Sequence, residues 1–334
     1  MTDDMVLVTG ATGQVGGHAV ARLLDEGYRV RVAARRPEQG IAGQAGVDDR
    51  VEVVTADLSS DDNWDKAVDG VRYVWHHASP FPLTPPANED ELIVPARDGA
   101  LRVLAAARTA GVERVVLPSS YAAVGYTVKP DGHYDESDWT DAVGDIPAYH
   151  RSKVVAERAA WEDVREHGGP ELTVINPTGI FGPQLGPRVS ASTGLVRALL
   201  TGGMPVVPRM YFGVVDVRDV VDLHLRAMLH PAAAGERFIA VSGAATSLYE
   251  MGRVLARHLP RFADRVPATE LTDEQVREGA RSDPALRDAA VLGGQVPVIS
   301  NAKARRVLGW QPRPVETAIT DTADSLLALG LVPA

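Results

Sequence analysis

A short apolar strand that runs through a glycine-rich turn directly into a helix leaves a chain few folds to choose from. Residues 5–26 have that form. Met5–Thr9 reads as a buried strand, Gly10-Ala11-Thr12-Gly13-Gln14-Val15-Gly16 as the turn, and Gly16–Glu26 as an amphipathic helix. Gly10 permits the tight turn, Gly13 lets backbone approach a pyrophosphate, and Gly16 lets helix and strand pack closely. A diphosphate would then rest on the free amides of the helix N-terminus. Gly10, Thr12, Gly13, Gln14, Val15 and Gly16 are therefore expected to bind a dinucleotide.

The rest of the first half repeats the alternation. Strands are expected at Tyr28–Ala34, Val51–Thr55, Val71–His76, Val112–Pro118 and Leu172–Asn176, and helices at Trp64–Val68, Glu91–Ala110 and Tyr149–His167. This spacing predicts an α/β fold, a Rossmann-type doubly wound parallel sheet. After Pro177 the pattern changes. Pro177–Pro208 is crowded with proline and glycine and holds one helix, Gly194–Leu200. Val214–Val217, a helix Val220–Leu229 and a strand Arg237–Val241 suggest a return to the sheet, and the chain is mostly helical from Ser247. The expected division is a cofactor domain of residues 1–177, joined by 214–242, and a smaller substrate lobe of residues 178–213 and 243–334.

Tyr149 and Lys153 stand four residues apart, a spacing that puts both on one helix face. An ammonium there favours the ionised phenol and readies it for proton transfer. Only Lys66, Lys129, Lys153 and Lys303 are lysines among 34 basic residues. Random placement would give such a pair about 0.1 times in this chain. The bland alternative is a tyrosine covering a lysine stem on a surface helix.

The strand ends carry further chemistry. An NAD site usually ends its second strand with a carboxylate for the ribose. This chain has Arg35 and Arg36 there, which suit a 2′-phosphate, so NADP(H) is favoured over NAD(H). Asp57-Leu58 would flank adenine, or form an ordinary turn. Of the two histidines closing the fourth strand, His76 is expected to pack and His77 to lie near the cofactor. Ser119-Ser120 would meet a substrate oxygen beside Tyr149, or cap a strand end. Phe81, Tyr121, Tyr211 and Phe212 fall on loops at the sheet's carboxyl edge, where they would wall an apolar pocket or form core. Asp216, Asp219, Asp222 and His224 are spaced for capping a helix start, so no metal is expected.

Composition excludes other classes. The net charge is −10 with scattered basic residues, which argues against nucleic acid. The absence of cysteine removes disulfides and thiolate chemistry. No basic leader and no apolar run of about 18–20 residues is present, so a cytoplasmic protein without a membrane partner is expected. The oligomeric state is open between monomer and homodimer, because helices Glu91–Ala110 and Tyr149–His167 would suit either.

Together these segments resemble the extended short-chain dehydrogenase/reductases, within the NAD-dependent epimerase/dehydratase family, and in particular their dihydroflavonol reductase-like branch of aldehyde and carbonyl reductases. The matching residues are Thr9–Gly16, Arg35, Ala56-Asp57-Leu58, His76-His77-Ala78-Ser79-Pro80, Ser119-Ser120, Tyr149 with Lys153, and Asn176-Pro177-Thr178 with Gly182-Pro183. Tyr134-Asp135-Glu136-Ser137 with Trp139, and Leu308-Gly309-Trp310 with Pro312, also match. The resemblance implies that Ser120 polarises a carbonyl, Tyr149 gives the proton, and Lys153 bonds the nicotinamide ribose. It further implies that Arg35 binds the 2′-phosphate, that Ala78 and Ser79 adjoin the cofactor, and that Pro177, Gly179 and Ile180 lie along the nicotinamide. The chain departs from relatives at Ala96, Gly125 and Asp216, and Ile146-Pro147-Ala148 replaces the cinnamoyl-CoA reductase signature, so no plant substrate is carried over. The activity expected is an NADPH-dependent, reversible reduction of an aldehyde or ketone, on a small and apolar substrate. The rivals are a nucleotide-sugar epimerase or dehydratase, and a non-catalytic NADP-sensing protein.

Overall fold

The computed structural model describes residues 3–36, 51–80, 88–144, 146–283 and 286–333, without the side chain of residue 288. Seven strands form one parallel sheet: β1 (Met5–Thr9), β2 (Arg29–Ala34), β3 (Val51–Thr55), β4 (Tyr73–His76), β5 (Arg114–Pro118), β6 (Glu171–Pro177) and β7 (Arg237–Ala240). Their spatial order is 3-2-1-4-5-6-7. The winding reverses between β1 and β4, and a crevice opens above their carboxyl ends at such a point.

Three strands begin later than the apolar pattern suggests. Tyr28, Val71 and Val112 donate their amides back to the carbonyls of Leu23, Val68 and Ala107. They therefore close the preceding helix or turn before the strand starts. Apolarity marks them as buried, but the hydrogen bond assigns them elsewhere.

Residues alternate between the two sheet faces. Val6, Val8, Val30, Val32 and Trp75 pack toward α1 (Gln14–Asp25) and a later helix, Val217–Leu229. Leu7, Val74 and Leu117 face the opposite layer. That layer contains α2 (Trp64–Val68), α3 (Asp90–Thr109) and α4 (Ala148–His167), and α3 lies against α4.

Past β6 the chain builds α5 (Ala191–Leu200), α6 (Val217–Leu229), α7 (Leu248–His258), α8 (Asp273–Gly279), α9 (Arg287–Leu292), α10 (Ala302–Leu308) and α11 (Val315–Ala328). Phe181 and side chains of α5, α7 and α11 form a core of their own. Two expectations need correction. Val214–Asp216 does not rejoin the sheet but pairs with Gly179–Phe181, because β6 and β7 end together at Pro177 and Ala240 and the chain beyond starts a separate ladder. Ala304, Leu308 and Trp310 pack into the sheet-face core rather than with the other C-terminal helices, and the Trp310 indole donates to the Asp219 carbonyl at 2.9 Å. No helix among the described residues is long and apolar enough to cross a membrane.

Candidate active site

The glycine turn has the shape its sequence requires. Gly10 has φ +71°, and the Gly13 amide donates to its carbonyl at 3.0 Å. A Cβ on Gly10 would stand 2.7 Å from the Ala78 nitrogen, and one on Gly16 would stand 2.2 Å from the Gly10 oxygen. A Cβ on Gly13 meets only that oxygen, at 3.3 Å, and otherwise faces open space. Gly13 also begins α1 without any side-chain cap. Uncapped amides, open space and a close-packed turn are what a diphosphate needs.

Below the turn, Thr9 joins β1 to β4. Its hydroxyl accepts from the Ala78 amide at 2.9 Å and lies 2.8 Å from His76 Nδ1. Burial, and next the charge of Lys153, push His76 down to about 3, so it is a neutral packing residue. The His77 ring packs 4.9 Å from that of His224, and burial holds both below the ordinary histidine range. Neither His77 nitrogen has a hydrogen-bond partner among the described residues.

α4 starts directly after Pro147, so Tyr149 falls in its first turn and Lys153 one turn further on. Tyr149 Oη lies 3.5 Å from Ser120 Oγ, and Lys153 Nζ lies 5.7 Å from the Tyr149 ring centre. Lys153 also donates to Ser79 Oγ at 3.2 Å. Ser120 caps the short turn Tyr121–Ala123, accepting from the Ala122 amide at 3.0 Å. That bond uses a lone pair and leaves the Ser120 proton available to another acceptor. Capping and exposure to a substrate are thus compatible in one residue.

A cavity of about 990 Å³ joins the glycine turn to Ser120 and Tyr149, while Lys153, Ala78 and Ser79 line a small separate cleft. The segment Thr12–Gly16, Gly10, His77, Ser120 and Tyr149 line the large cavity, as do Pro177, Gly179 and Ile180. Tyr121, Tyr211 and Phe212 line the same cavity, and Tyr121 and Phe212 also pack against buried core clusters. Arg35 and Arg36 are exposed just past β2, outside this lining. Asp57 takes the turn geometry: its Oδ1 accepts from the Ser59 amide and hydroxyl at 2.9 and 2.8 Å. The hydrogen bond from the Ser59 amide, more than the nearby charge of Arg35, holds its carboxyl below the usual range. Leu58 packs below Gly99 of α3. Phe81 lies outside the described residues.

The acidic group on α6 serves the structure. Asp216 caps the helix by accepting from the Arg218 amide at 2.8 Å, and Arg218 then bridges to Asp321. Asp219 pairs with Arg313, Asp222 with Arg226, and His224 Nδ1 lies 2.7 Å from the Val220 carbonyl.

Two features were missed by sequence reasoning. Tyr126, Tyr134, Leu292 and Pro297 also line the cavity, the latter two arriving through a pairing of Val298–Ile299 with His133–Tyr134. Behind the site, Asn176, Glu157 and Arg237 form a buried polar chain. Glu157 was detectable as a carboxylate on the inner side of the helix, one turn past Lys153.

Comparison with known proteins agrees with this architecture. The family described as NAD dependent epimerase/dehydratase matches residues 6–241. The ketoreductase azaE of Aspergillus niger is 31% identical over 354 aligned residues, covering 96% of this chain and 97% of that protein. The NADPH-dependent methylglyoxal reductase GRE2 of Saccharomyces cerevisiae is 31% identical, covering 96% and 98%. The solved structure of yeast methylglyoxal/isovaleraldehyde reductase Gre2 complexed with NADPH superimposes with a TM-score of 0.82 at 28% identity, over 98% of this chain and 99% of that one.

Proposed function

The chain belongs to the NAD-dependent epimerase/dehydratase family, and we propose that it is an NADPH-dependent reductase of small apolar aldehydes or ketones. The observation that carries this reading is Tyr149 Oη directed at Ser120 Oγ, 3.5 Å away, on the wall of the cavity that contains the open glycine turn. GRE2 and azaE, reductases by name, support it over nearly the full length of the chain.

The residues fit the cofactor. The α1 N-terminus with Gly13 would hold the diphosphate, Arg35 and Arg36 the 2′-phosphate, and Lys153 and Tyr149 the nicotinamide ribose. When bound, NADPH supplies the hydride. The chain supplies the rest. Ser120 donates a hydrogen bond to the substrate oxygen as charge develops on it, and Tyr149 transfers its proton to that oxygen. The product is an alcohol, and the same groups run the reverse direction.

The lining favours a neutral partner on the substrate side. Tyr121, Tyr126, Tyr134, Tyr211, Phe212 and Leu292 supply aromatic and apolar surface, and the one charged side chain among the described lining residues, Arg188, is an exposed one. The test is NADPH and NADH oxidation against aromatic, aliphatic and keto-ester carbonyls. Tyr149→Phe should lower turnover by roughly 100-fold or more while NADPH still binds. Wild-type turnover in that variant would refute the mechanism.

A further inference from the structure

We propose that Glu157 is a positioning residue, one that sets the distance between Ser120 and Tyr149 through the amide of Asn176. Its side chain is 0% exposed, and the Arg237 side chain beside it is 9% exposed. Arg237 Nε lies 2.6 Å from Glu157 Oε1. Glu157 Oε2 accepts from Asn176 Nδ2 at 2.8 Å, and the same nitrogen donates to the Ser120 carbonyl at 3.1 Å. Both neighbours are acceptors, so the amide can face them only with its NH2 group. One buried amide therefore ties the end of β5, which leads into Ser120, to α4, which carries Tyr149 and Lys153.

The anchor is itself rigid. Arg237 stacks 3.8 Å from the Trp139 ring centre and donates to the carbonyls of Glu136 and Asp138 at 3.0 Å each. Asn176 is fully buried in β6, with Ile239 of β7 beside it in register. Fold stability does not require such an arrangement, since well-packed apolar pairs often replace buried ion pairs without loss. Geometry does, because proton transfer is sensitive to displacements of about 1 Å.

The proposal rests on the reductase reading, and two variants separate placement from stability. Glu157→Leu with Arg237→Met removes the anchor and keeps apolar volume. The loss of Arg237's bonds to Glu136 and Asp138 should lower the double variant's unfolding temperature, though by less than in Glu157→Gln, while kcat falls roughly 10–100-fold. The dissociation constant for NADPH, followed by cofactor fluorescence, should change less than about two-fold. Glu157→Gln retains an acceptor for Asn176 and leaves Arg237 uncompensated. It should be less stable, yet keep kcat within about three-fold of the native value. A kcat that follows stability across the two variants would overturn the proposal. A crystal structure of the double variant gives a readout independent of turnover. A Tyr149–Ser120 separation and rotamers unchanged from the native crystal would also overturn it, and a widened or disordered pair would support it. Should the double variant fail to fold, Asn176→Ser removes the bridge with the ion pair intact and faces the same criteria. A native protein inactive on every carbonyl would defeat the reductase reading alone, with the crystallographic comparison still deciding the role of Glu157.

Discussion

Arg35 stands exposed just past β2, whereas Tyr149 stands on the cavity wall. Tyr149 was legible with its partner, because a four-residue helical spacing fixes which side chains share a face. Arg35 was legible only as a charge at a strand end, and its exposed place past β2 leaves recognition to the phosphate itself. In the proposed enzyme a guanidinium that contacts a 2′-phosphate adds a charge-assisted hydrogen bond absent with NADH. Arg35→Ala should therefore raise the KM for NADPH roughly ten-fold and leave that for NADH within about two-fold. Steady-state kinetics with both cofactors decides the matter, and equal changes would remove 2′-phosphate recognition from Arg35. Asp57 shows where single-residue reading stops. A carboxylate after a strand is consistent with a ligand or a turn, and here Ser59 donates twice to Oδ1, which builds the turn without occupying Oδ2.

Among the elements, the strand, glycine turn and helix at residues 5–25 form a unit whose glycines differ in consequence. Gly16 lies against Gly10, with 2.2 Å available to a Cβ, whereas Gly13 faces the cavity. Gly16→Ala should therefore damage the fold, lowering stability by about 1–3 kcal/mol through overpacking. Gly13→Ala should leave the unfolding temperature within a few degrees and weaken NADPH binding about ten-fold or more, since a methyl group would occupy the diphosphate's place. Thermal unfolding and cofactor titration of both variants give the contrast. A Gly13→Ala protein that binds normally would show that the diphosphate lies elsewhere. Local elements such as this were readable because period and glycine position are local properties. The pairing of Val298–Ile299 with His133–Tyr134, which brings Leu292 and Pro297 to the cavity, depends on partners about 165 residues apart that no periodicity encodes. The same limit explains Val214–Asp216, readable as a strand but not as a strand outside the sheet.

At the scale of the whole molecule, the sheet and its crevice followed from alternation, while the buried polar groups did not. His76, His77 and His224 are held uncharged, chiefly by burial, with His76 near 3 and His224 near 4. Their ordinary value in the unfolded chain is about 6.5. Between these limits the unfolded chain binds more protons than the folded one, so stability rises with pH there and falls as acid is added. The loss should start as pH drops through about 6.5 and grow toward pH 4, a range that begins above the titration of ordinary carboxylates. Calorimetric unfolding between pH 7 and 5 should thus show a falling midpoint. His224→Phe keeps a ring against Trp75 and His77 while removing one of the groups that must charge on unfolding. Its midpoint should depend less steeply on pH over the same interval, by the equivalent of up to about one proton. An unchanged slope would mean that His224 takes up its proton equally in both states, and that the pocket behind β4 admits charge more readily than its burial implies.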